Sequence, residues 1–117
     1  MSDSLIPQFF MVMKMEIETQ MFELGYDIAI GYDTIGWMQV SKSDIEIYKT
    51  MSDDEIIDSV SELTTTEQWD YQVSNKIREI LQSEKSDYDT YLDRFIELQD
   101  CAVEGYIAAI RSLLDGA

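Results

Sequence analysis

The chain has 117 residues, 45% of them apolar, with one proline and five glycines, which suits a single domain over 1–117 with a buried core. Twenty-four Asp and Glu against eight Lys and Arg give a formal charge of −16. That balance opposes direct binding to nucleic acid or anionic membranes and favours a basic protein partner. Histidine is absent and Cys101 is the only cysteine, which excludes histidine-based triads and zinc sites and any intramolecular disulfide.

The opening MSDSLIPQFF has an acidic start and no basic segment, unlike a secretory leader. No apolar run is long enough to span a bilayer, and a cytoplasmic location is expected. From Pro7 to Leu24, apolar Phe10, Met13, Ile17, Met21 and Leu24 recur at offsets of three and four, which predicts a helix. Pro7 suits its start and Gly25 the position after its end. Tyr26–Val40 alternates like a strand in YDIAIGY, yet Ile28, Gly31, Ile35 and Met38 share one helical face. Helix is the preferred reading, with Gly31 and Gly36 placed where another backbone can approach. Ser43–Tyr48 reads as a short helix or a short strand.

Ser52 and Glu55 form a capping box ahead of a stripe of Ile56, Val60 and Leu63. Thr64 and Glu67 repeat the arrangement before Trp69, Val73, Ile77, Ile80 and Leu81. A last helix is predicted from about Asp87 to Leu114, with Ser86 as cap and Gly116 as terminator. The expected fold is therefore all-α, an irregular bundle of four to six helices. The alternative is α+β with short strands between residues 26 and 48. The methionines and aromatic residues, Trp37 and Trp69 among them, are expected mainly in the core; exposed aromatics beside acids would serve as interface anchors.

The acidic opening of the last helix invites comparison with a calcium loop. Such a loop needs a glycine at its sixth position and a bidentate glutamate at its twelfth. Counted from Asp87, those positions hold Leu92 and Leu98, so no calcium site is expected. A helix advances about 100° per residue. On that wheel Asp89, Asp93, Glu97, Asp100 and Glu104 fall within an arc of roughly 80°. Tyr88, Tyr91, Leu92, Phe95, Ala102, Val103, Tyr106, Ala109, Ile110 and Leu113 gather across from them as the expected core face. No basic residue is expected to compensate the acidic ridge, because Arg94 and Arg111 are read as pointing elsewhere or lying too far along. Fifteen of the 24 acids lie between Asp53 and Glu104, against four basic residues, and Asp54, Asp58 and Glu62 form a second row at spacings of four.

The ridge from Asp89 to Glu104 spans about 22 Å, or roughly one charge per 5 Å, whereas duplex DNA carries one per about 1.7 Å of axis. One helix is too sparse to imitate DNA; a second acidic helix or a homodimer is required. In size and charge alone the chain resembles small acidic phage and bacterial proteins that block restriction, nucleoid or CRISPR components. No motif carries that likeness to particular residues. The sequence holds no dinucleotide or phosphate loop, no cysteine pair and no nucleophile elbow, so no enzymatic activity, cofactor or metal is expected. Cys101 reads as a packing residue. The expected role is a protein-binding inhibitor or decoy. Its contact face would be Asp54, Asp58, Glu62, Asp89, Asp93, Glu97, Asp100 and Glu104, directed at a basic nucleic-acid-binding protein. The alternatives are a structural or adaptor subunit joined through apolar faces and an immunity protein or antitoxin.

Overall fold

Short-range capping chemistry sets most of the helix starts. In the structure, a computed structural model, residues 5–32, 34–84 and 87–116 are described, with side chains from Met15 onward. Among them are five helices and no strand, so the all-α expectation holds and the α+β alternative does not. The expected stripe residues Phe10 and Met13 lie outside the described side chains.

Helix α1 runs Leu5–Ile30, past Gly25. The expected end at Gly25 does not hold: Gly31 ends the helix, with φ of 77°. Its N–H donates to the Ile28 carbonyl and the Tyr32 N–H reaches back to the Asp27 carbonyl, a Schellman closure that needs the left-handed conformation glycine tolerates. The described residues of 31–40 then form a loop rather than the expected helix. It folds back so that the Val40 N–H donates to the Ala29 carbonyl at 2.8 Å and the Tyr106 hydroxyl donates to the Met38 carbonyl at 2.6 Å.

Helix α2 spans Lys42–Tyr48 and is capped by Ser41, whose hydroxyl accepts from the Asp44 N–H while the Asp44 carboxylate accepts from the Ser41 N–H. Helix α3, Asp53–Leu63, has the predicted Ser52–Glu55 box. The next cap is Thr66, not Thr64. Thr64, Thr65 and Thr66 donate their hydroxyls to the Ser61, Glu62 and Leu63 carbonyls at the end of α3, and the Thr66 oxygen also accepts from the Trp69 N–H. One threonine thus closes one helix and opens the next. Helix α4 follows as a continuous run of three parts: Glu67–Trp69, a π-helical turn at Asp70–Ser74, and Asn75–Glu84. Helix α5, Tyr88–Asp115, starts at Asp87, whose carboxylate accepts from the Thr90 N–H at 2.8 Å. Asp87 is therefore the cap of this helix; the expected cap, Ser86, lies outside the described residues. That hydrogen bond holds the Asp87 carboxyl below the usual range.

The main helix–helix contact joins α1 and α5. Glu18 pairs with Arg94, and further along both helices Gly25 meets the Ala102 carbonyl and Gly105 meets the Phe22 carbonyl. The numbers rise together, so the two long helices run parallel and α2–α4 make the return. A Cβ at Gly25 would collide with the Ala102 carbonyl, and one at Gly105 with the Phe22 carbonyl. The close backbone approach expected at Gly31 and Gly36 occurs here instead.

The core contains Met21, Ile28, Met38, Val40, Ile56, Val60, Trp69, Val73, Ile77, Leu81, Leu98, Ala102, Tyr106, Ala109 and Ile110. The Trp69 indole N–H, otherwise stranded by burial, donates to Gln99 Oε1. Burial pushes the Tyr106 hydroxyl above its ordinary value, with Tyr48 and Asp44 adding to the effect. The fold thus favours the neutral phenol, while the unfolded chain ionises near the ordinary value of about 10. The resulting stability is present below that pH and lost as pH rises toward the folded value. Tyr106→Phe is expected to cost about 1 kcal/mol at neutral pH and to flatten this alkaline loss. Urea midpoints on either side of about pH 10 test it; an alkaline loss as steep as the wild type's would refute it.

Candidate acidic protein-binding face

In α3 the apolar residues Ile56 and Val60 are buried and Asp54, Asp58 and Glu62 are exposed on the opposite side. Asp54 also belongs to the first turn, where carboxylates complement the helix dipole. Asp58 and Glu62 lie beyond that turn, and the dipole does not account for them. Glu55 spends its carboxylate on the Ser52 N–H and so belongs to the cap.

In α5, Asp89, Asp93, Asp100 and Glu104 are exposed, while Glu97 is half-buried. The wheel's prediction of a common outward side therefore holds for four of the five. The expectation of an uncompensated ridge fails at Glu97. Arg94 Nη1 lies 3.4 Å from Glu97 Oε2 and 3.6 Å from Glu18 Oε1, and Arg94 Nε lies 3.4 Å from Glu84 Oε1. The two positions differ by about 60° around the axis, an angle a long guanidinium side chain spans at a spacing of three. Glu97 thus has a structural duty, tying α5 into a cluster with α1 and the end of α4. Among the described residues, the other seven predicted acids take part in no ion pair.

Cys101 lies half-buried beside this cluster. Burial first, then the negative field of Glu18, Glu104 and Glu97, pushes its thiol up against the opposing pull of Arg94. A protonated thiol is a poor nucleophile, in keeping with a packing role. Among the described residues no group of three or more Cys, Asp or Glu is placed so that it could hold a metal ion, and no helix is long and apolar enough to cross a membrane.

Some residues lie on the other side of the surface from the one their spacing predicts. Tyr88 and Leu92, expected in the core, are exposed, and Ile96 is exposed on the acidic side of α5. Leu98, left out of the expected core face, is fully buried. Met15 and Trp37 are exposed, against the core expectation for methionines and tryptophans. The wheel did carry a signal for Ile96, which falls about 20° from Asp89. Nothing in the sequence marked Trp37, because its exposure depends on the loop closed by Gly31 and Gly36. No protein-family model matches the chain, and neither does any curated protein or solved structure.

Proposed function

We propose that this protein is a non-enzymatic, cytoplasmic decoy that blocks a basic nucleic-acid-binding protein, in the manner of phage-encoded DNA mimics directed at restriction, CRISPR or nucleoid components. The observation that carries the reading is the outward display of Asp54, Asp58, Glu62, Asp89, Asp93, Asp100 and Glu104, none of them tied into an ion pair among the described residues. The protein extends 55 Å along its longest axis and carries a net charge of −16. Averaged over that length this is about one net charge per 3.4 Å, comparable with one strand of duplex DNA.

A decoy of this kind competes with DNA and weakens steeply with salt, since its binding replaces the counterions of a nucleic-acid site. The test is capture from nuclease-treated host lysate, followed by displacement with duplex DNA and with rising salt. The informative variant is Asp89→Asn, Asp93→Asn and Asp100→Asn combined. Glu97 is left intact because Arg94 depends on it. The triple variant is expected to lose at least tenfold in affinity while gaining up to about 1 kcal/mol of stability from relieved like-charge pairs. Undiminished binding would remove the ridge from the site. The rival reading, a subunit joined through apolar faces, draws on the exposed row of Tyr88, Leu92 and Ile96; it predicts binding nearly insensitive to salt and damaged by Leu92→Ser with Ile96→Ser.

A further inference from the structure

Two large aromatic rings meet in water on this molecule. Trp37, from the α1–α2 loop, is 60% exposed; Tyr71, from the π-helical turn of α4, is 57% exposed. Their centroids are 5.6 Å apart and their planes tilted by 49°. Leaving so much ring surface in water has no benefit for folding, yet both rings are held by buried neighbours. Trp37 lies between Gly36, with φ of 84°, and Met38, which is buried and whose carbonyl receives the Tyr106 hydroxyl. Tyr71 precedes Val73 and Ser74, both buried. The π turn adds a residue to the helical circuit there, a distortion that recurs at functional sites. Tyr71 also lines a shallow groove with Glu67, Asp70 and Asn75. Both carboxylates are exposed, and Asp70 engages the chain's own Arg78 through Oδ1 at 2.7 Å.

We propose that the Trp37–Tyr71 ring pair, with Glu67 and Asp70 in the groove beside Tyr71, receives an arginine side chain of the basic partner. The proposal rests on the acidic-decoy reading and names the group recognised. An aromatic face beside carboxylates offers a cation both ring quadrupole and hydrogen-bond acceptors. Guanidinium fits better than ammonium, being planar, weakly hydrated and able to stack. A second copy is disfavoured as occupant because each molecule carries −16.

The probes are nona-arginine and nona-lysine peptides, equal in length and charge. Affinities come from calorimetry. The place of binding comes from indole emission, in which Trp37 is the responsive residue because Trp69 is fully buried. Nona-arginine is expected to bind about two- to fivefold tighter than nona-lysine and to perturb Trp37 emission. The combined Trp37→Ala, Tyr71→Ala variant should lose that preference while retaining charge-driven binding of both peptides. Trp37→Phe should keep part of it. Equal affinities in the wild type, or a preference that survives the double variant, would overturn the arginine site and leave the decoy reading standing. Binding of neither peptide would remove the basic-partner premise itself. A dimer in sedimentation that Trp37→Ala dissolves would assign the rings to self-contact and overturn the proposal.

Discussion

Gly105→Ala is expected to destabilise the protein by about 3 kcal/mol, at the upper end of the usual cost of overpacking. The same change inside an isolated helix would help by about 1 kcal/mol, because alanine has the better helix propensity. The reversal comes from what the new methyl group meets. It would collide with the Phe22 carbonyl, and a Cβ at Gly25 would collide with the Ala102 carbonyl. Both obstacles are main chain in the interior of long helices, so neither can swing aside as a side-chain tip would. The axes of α1 and α5 must separate, and every contact around that crossing loosens with them. Gly116→Ala is the control, since a Cβ there reaches only ordinary contact distances, 3.6 Å at the nearest. Urea midpoints of the two variants should differ sharply. A Gly105→Ala protein as stable as the wild type would mean that the helices cross less closely than the structure shows.

This crossing also shows where sequence reasoning stops. Ser52 and Glu55 were legible as a cap because the whole interaction spans four residues and needs no tertiary context. Gly25 suits a helix end by sequence, yet the helix ends at Gly31. The packing of α5 against α1 decides between them, and it lies some eighty residues away along the chain. The three consecutive threonines pose the same ambiguity on a smaller scale. Any of them can cap a helix, and only the length of α3 selects Thr66. On α5 the wheel located most of the acidic side correctly, since angular position follows from helicity alone. It misplaced Tyr88 and Leu92 because a wheel treats the helix as packed along its entire length. Burial at each level depends instead on which neighbour is present there.

Arg94 is where the acidity of the chain turns into structure, and its removal is the second large effect to expect. The guanidinium side chain is 11% exposed, and the carboxylates of Glu18, Glu84 and Glu97 around it are 31%, 26% and 39% exposed. Arg94→Met would fill much of the space but leave those three carboxylates crowded together without the cation they now share. Stripping one partner from a fully buried pair costs about 3–5 kcal/mol. Water still reaches these carboxylates, which reduces the expected loss to about 2–3 kcal/mol. Added salt should recover part of it by screening the repulsion, and the further changes Glu18→Gln and Glu97→Gln should recover more, since the penalty lies in the residual charge. Arg78→Met is the comparison. Its partner Asp70 is 55% exposed, so that change should cost well under 1 kcal/mol. If both arginine variants unfold at the same urea concentration, the cluster does not hold α1, α4 and α5 together. If they differ as expected, the acids divide by physical role. Glu18, Glu84 and Glu97 are consumed in building the fold, while Asp89, Asp93, Asp100 and Glu104 remain available to a partner.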